Sequence, residues 1–229
     1  MEEPDSIETS AGPLGIQPVD HASLVLTHGE AVVYIDPVGG AARYAGLAAP
    51  TAIAVTHEHG DHFDPETLAA LVGERDVPLV VSRGVHAQLE GRLRALATPL
   101  GYGESGVLAG IPIRVVEAYN TSPDRLKYHP RGLGNGYVLS FGDADLYVSG
   151  DTEPNPDMLG LTGIAVAFLP MNLPYTMLAE QAAAAVKAFR PGIVYPFHYA
   201  RGPEPAKFAA LLAGVPGIEV RLREWYPEG

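Results

Sequence analysis

The 229-residue chain contains no cysteine. Disulfides and thiolate ligands are therefore excluded, and any metal site must be built from His, Asp and similar side chains. Cations are scarce: 15 Lys and Arg stand against 27 Asp and Glu, a net charge of −12. Such a surface disfavours nonspecific binding to nucleic acid and docking on anionic membranes, though it leaves room for a local basic pocket. No apolar run approaches the length needed to span a bilayer. The opening stretch Met1-Glu2-Glu3-Pro4-Asp5 lacks the apolar centre of a signal peptide. A cytoplasmic protein is the expectation, with a trimmed exported chain as the alternative.

What the chain does have is enough apolar material, 47% of its residues, for one large domain with a proper core. Residues 1–12 show no periodicity and read as a tail. From residue 13 to 229 no linker interrupts the pattern, and one domain is expected. Leu14–Val19, Ala22–Thr27 and Ala31–Ile35 read as strands, followed by a loop over 38–50. Asp64-Pro65-Glu66 has the form of a helix start, with Gly73 as its stop. Ser82 caps an expected helix running to about Leu96, and 101–110 reads as a loose Gly-rich stretch. A second set of strands begins at Ile111, and helices are expected at 179–189 and 205–212.

The chemistry concentrates in Thr56-His57-Glu58-His59-Gly60-Asp61-His62, which follows the apolar run Ala52–Val55. In an extended segment, residues two apart face the same side, so His57 and His59 can grip one ion together. Asp61 and His62 lie past Gly60, where the chain can turn, and can face a second ion. Imidazole nitrogen and carboxylate oxygen suit zinc, iron or manganese.

The pattern His-x-His-x-Asp-His resembles the metal-binding signature of the metallo-β-lactamase superfamily, and of its lactonase-like, metal-dependent hydrolase branch above all. Ser149-Gly150-Asp151-Thr152 and Tyr195-Pro196-Phe197-His198 resemble later motifs of that superfamily in the expected order. The resemblance implies an α+β fold, a four-layer αβ/βα sandwich in which two similar halves pack sheet to sheet. It implies two divalent ions, zinc first, with Asp151 bridging them and His198 joining Asp61 and His62 on the second. The resemblance implies Asp36, in an Asp-Pro pair, as an outer partner of a ligand His; His21, just before a strand, is a further candidate for that role, with a structural His as the alternative.

The family pattern requires one further His on the first ion, between the metal loop and Asp151. The equivalent place after Ala118 reads Tyr119-Asn120 and holds no His. Asn120 and His129 are the two candidates. Asp61 is expected to orient the nucleophile and shuttle its proton. Asn172, Tyr175 and Asn120 are expected near the substrate, and Tyr175 near the chemistry. Arg125, Lys127 and Arg131 surround His129, and Arg131 is the expected anchor for an anionic group. The leading expectation is hydrolysis of an ester-type bond, a lactone or phosphoester, in a small molecule. Alternatives are a mononuclear iron sulfur dioxygenase and a non-catalytic binding protein on the same scaffold.

Overall fold

The structure, a computed structural model, describes residues 3–226. Two seven-stranded sheets are laid down one after the other. The first comprises β1 (Asp5–Ile7), β2 (Leu14–Asp20), β3 (Ser23–His28), β4 (Ala31–Ile35), β5 (Ala52–Val55), β6 (Leu79–Ser82) and β7 (Ala97–Leu100). The second comprises β8 (Ser105–Leu108), β9 (Ile111–Ala118), β10 (Gly134–Phe141), β11 (Ala144–Val148), β12 (Ile164–Pro170), β13 (Ile193–Phe197) and β14 (Glu219–Val220). In both sheets the strands neighbour one another in chain order. Each sheet opens with four antiparallel strands and closes with three more added in parallel, at β4/β5 in one and β11/β12 in the other. The same pairing pattern is thus used twice.

The layers follow from strand alternation. Leu24 and Leu26 of β3 enter the core between the sheets, whereas Val25 faces the outer side. In β5, Ala52 and Ala54 face inward while Ile53 and Val55 face outward. The inner core joins both sheets through Leu146, Phe168, Phe197 and the fully buried Trp225. The outer face of the first sheet is covered by α1 (Pro65–Val72) and α2 (Arg83–Gln88), and that of the second by α4 (Pro156–Leu159), α5 (Ala179–Phe189) and α6 (Glu204–Leu212). The result is the expected four-layer α+β sandwich.

α1 starts as its sequence dictates: the Asp64 carboxylate accepts from the amides of Glu66 and Thr67, and Pro65 occupies the first turn. Other expectations fail for identifiable reasons. Residues 5–7, read as part of a tail, form β1, because the Asp5 carboxylate accepts from Tyr195 Oη and pairs with Arg223. Met1 and Glu2 lie outside the described residues. The helix expected over 82–96 divides into α2 and α3 (Gly91–Leu96), since Gly91 takes a φ of +50° that a continuous helix does not allow. Part of the stretch read as loose forms β8. Among the described residues no helix is long and apolar enough to cross a membrane.

Candidate metal centre

The parallel strands of both sheets point their carboxyl ends at one edge, and the chemistry-bearing loops leave from there. β4 delivers Asp36, β5 delivers Thr56 and His57, β11 delivers Asp151, and β13 delivers His198. Beyond His57 the chain turns, with the amides of His62 and Phe63 both donating to the His59 carbonyl at 2.9 and 2.8 Å. That turn brings Asp61 and His62 to the opposite flank from His59. Gly150 lets β11 end against this loop. Its φ is +61°, and a Cβ there would lie 2.6 Å from the Asn135 carbonyl oxygen.

Donor atoms converge in overlapping sets. His57, His59 and His129 offer nitrogens within 4.8 Å of one another, as do the donors of His57, His62 and Asp151, and those of His21, Asp61 and His198. Asp151 is central. Its Oδ2 lies 3.2 Å from His129 Nε2 and 3.3 Å from His198 Nε2, and its Oδ1 lies 3.3 Å from His62 Nε2. Asp61 Oδ2 lies 3.2 Å from His198 Nε2, and His129 Nε2 lies 3.2 Å from His59 Nδ1.

Three rings are held with Nε2 aimed inward. His62 Nδ1 donates to Asp36 Oδ2 at 2.7 Å, so Nε2 faces the cluster. His129 Nδ1 sits 3.0 Å from the Tyr175 carbonyl, which can only accept, so Nε2 again faces the cluster. Thr56 gives its hydroxyl proton to Asp36 at 2.7 Å and so accepts from His57 Nδ1 at 3.0 Å. The second nitrogen of a metal-bound imidazole is characteristically tied in this way. The test of fit is the fate of the inward atoms. His57 Nε2, His62 Nε2 and Asp151 Oδ1 are buried without a hydrogen-bond partner. The 3.3 Å approach of the last two is an ion-pair distance without hydrogen-bond alignment. Buried polar atoms are rarely left so. A cation would satisfy all three, so the residues present could hold metal.

The electrostatics agree. Burial, reinforced by neighbouring imidazoles, lowers the pKa of His57 and His59. Burial also lowers that of His198, against the pull of Asp151. Burial opposes ionisation of Asp61 and Asp151, yet the surrounding histidines prevail and hold both carboxyls below their usual range. His62 is the exception: burial lowers it, but Asp151 and Asp36 outweigh burial and raise it well above the ordinary value. A metal entering there displaces a proton.

His129 is carried on the long connection between β9 and β10, and Glu153 anchors that connection. The buried Glu153 carboxylate accepts from the amides of Thr121 and Ser122 at 2.8 and 2.6 Å and pairs with Arg125 at 2.7 Å. Nothing local in the sequence marks this role beyond an acid two residues after Asp151.

Of the two candidates for the missing position, His129 reaches the cluster and Asn120 does not. The Asn120 amide donates instead to the carbonyls of Tyr175 and Arg125, at 2.6 and 3.1 Å. It ties two loops together, and Asn120 is absent from the lining of the adjoining cavity. Arg131 also departs from expectation. Its Nε donates to Glu117 at 2.9 Å and its guanidinium lies over the Tyr119 ring, because Glu117 is buried and requires a cation. The cavity of about 460 Å³ beside the cluster is lined by Lys127, Tyr128, Asn172 and Tyr175, and Arg131 is absent from it. Lys127 and Arg131 flank His129 symmetrically in sequence, and only the distant Glu117 decides between them. Asp36 stands where expected, and His21 Nε2 lies 3.3 Å from Asp61 Oδ2.

Asp36 is fully buried and accepts from the Thr56 amide, the Thr56 hydroxyl and His62. Asp36→Ala is expected to destabilise the metal-free protein by about 3–5 kcal/mol, the cost of orphaning a buried ionic partner. Asp36→Asn is expected to fold but to bind zinc roughly 10- to 100-fold more weakly. Denaturant unfolding and zinc titration check the two values.

Two stacked mixed sheets with His and Asp donors at their shared edge define the metallo-hydrolase class of αββα proteins. The chain belongs to the metallo-β-lactamase superfamily: the profile of the beta-lactamase superfamily domain matches residues 17–199. A UPF0173 metal-dependent hydrolase of Thermus thermophilus is 32% identical over 187 residues, covering 78% of this chain and 80% of the relative. The solved structure of a candidate metal-dependent hydrolase from Parabacteroides distasonis superposes with a TM-score of 0.89 at 35% identity, covering 99% of this chain and 100% of that one. Igni18, a metallo hydrolase of the archaeon Ignicoccus hospitalis, shares the fold at a TM-score of 0.77 and 21% identity, over 93% of this chain and 96% of its own. The protein is a metal-dependent hydrolase.

Proposed function

We propose that the protein hydrolyses an ester-type bond, a lactone or a phosphoester, in a small anionic molecule, using two zinc ions. His57, His59 and His129 would hold the first ion, and Asp61, His62 and His198 the second, with Asp151 between them. The observation that carries this reading is the convergence of His57, His62 and His129, each with its outer nitrogen tied and its inner one turned into the cluster. Zinc ions at such a site supply Lewis acidity and bring the pKa of water toward neutrality. Asp61 is half-exposed at the cavity wall and kept ionised by His198 and His21, so it is placed to accept a hydrogen bond from the attacking water and orient it. Asn172 and the exposed Tyr175 line the same cavity and are suited to orient the substrate. A volume near 460 Å³ suits a small molecule.

Metal analysis of the purified protein tests the reading, together with ester and phosphoester hydrolysis before and after chelation. Two zinc ions per chain, with activity lost to chelator and restored by zinc, is the expected outcome. One iron per chain, or no metal, overturns it.

Lys127 replaces Arg131 as the expected anion anchor. Lys127→Ala is expected to raise KM for phosphorylated or carboxylated substrates about tenfold, the value of one charged hydrogen bond. Neutral analogues should change little, and Arg131→Ala should leave both unaffected. Steady-state kinetics on paired charged and neutral substrates decide between the two cations.

A further inference from the structure

His21 has the look of a third ligand for the second ion. Its Nε2 groups with Asp61 and His198, and its ring lies 3.9 Å from that of His198, centroid to centroid. The hydrogen bonds behind the ring argue otherwise. His21 Nδ1 lies 2.7 Å from the hydroxyl of Tyr226. That oxygen also receives the amide N–H groups of Tyr199 and Ala200, at 2.9 and 2.7 Å. A phenol oxygen has two acceptor positions and one proton. Two backbone amides, which can only donate, fill both acceptor positions. The proton must therefore go to His21 Nδ1.

We infer that Tyr226 fixes His21 as the Nε2–H tautomer, so that His21 donates to Asp61 and orients that carboxylate without binding metal itself. The inference rests on the dinuclear reading above for the role of Asp61. The contrast with His57, His62 and His129 is direct: their Nδ1 atoms donate outward, and their Nε2 atoms face the cluster. His21 is wired in the opposite sense.

The C-terminal segment is built to deliver Tyr226. Trp225 is buried in the inner core, and its carbonyl accepts from the His21 amide at 2.9 Å. The His21 carbonyl in turn accepts from the His198 amide at 3.0 Å. A φ of +50° at His21 turns its side chain out of the β2–β3 connection toward Asp61. His21 is thereby a positioning residue, and Tyr226 positions it.

The test is histidine nitrogen NMR on the wild-type protein, zinc-loaded and zinc-free, combined with zinc counting in variants. Expected in both wild-type forms is a protonated Nε2 and a bare, hydrogen-bonded Nδ1 at His21. Tyr226→Phe is expected to give a mixture of tautomers and roughly tenfold lower kcat at full zinc content, as when an outer partner is lost. His21→Gln keeps an N–H donor and should retain more activity than His21→Ala, again at full zinc content. A His21 Nε2 that is unprotonated and shifted by zinc, or the loss of one zinc ion in His21→Gln, overturns the inference. A wild-type protein that takes up no zinc overturns the dinuclear reading instead. The tautomer is then read on the zinc-free chain, where an Nδ1–H ring overturns the inference independently.

Discussion

Asp151→Ala is expected to strip zinc from both positions at once and to abolish hydrolysis, by about three orders of magnitude or more. The carboxylate stands within 3.3 Å of His62, His129 and His198, through both of its oxygens. No other carboxylate of the cluster touches nitrogens assigned to both ions. Its removal also withdraws the negative charge that raises His62. Asp151→Asn separates shape from charge: it retains one carbonyl oxygen but is expected to hold at most one ion weakly. Zinc content and turnover measured on the same preparations check this. Full occupancy with normal rates would remove Asp151 from the centre.

The second large effect is expected at His129. His129→Ala should cost one zinc ion and about two orders of magnitude in rate, because the first ion is left with His57, His59 and a shared carboxylate. Asn120→Ala should behave differently. It leaves the carbonyls of Arg125 and Tyr175 without their donor, so a stability loss of about 1–3 kcal/mol is expected, with zinc content retained. Unfolding midpoints and metal counts taken side by side discriminate the two residues. Zinc loss in Asn120→Ala with retention in His129→Ala would reverse the assignment.

How much of this could be read from the chain depends on how local each cause is. The metal loop was legible because its residues lie next to one another, and two-residue periodicity already pairs His57 with His59. The layers were read from the resemblance to the metallo-β-lactamase superfamily, because apolar runs such as Ile164–Leu169 alone support only mixed α and β elements in one domain. What escaped depends on distant partners. Lys127 and Arg131 are indistinguishable until Glu117 of β9 claims one of them. β1 exists because its Asp5 meets Tyr195 and Arg223 from the far end of the chain. Tyr226 carries no local signal at all, and its meaning comes from the amides of Tyr199 and Ala200 that crowd its oxygen. The break between α2 and α3 was available in Gly91, which a helix reading passes over too easily.

The donors are divided between two separately laid sheets: His57, His59, Asp61 and His62 follow β5, while His129, Asp151 and His198 come from the second half. Neither half holds a complete set for either ion, so affinity exists only after the two have docked. The centre would then act as a clasp on the open edge of the sandwich, and a bound metal ion would by mass action tighten that seam with the logarithm of its free concentration. Loss of metal should accordingly be felt first as breathing between the halves at the strand-end edge, visible as faster amide exchange there, while the opposite edge stays shut.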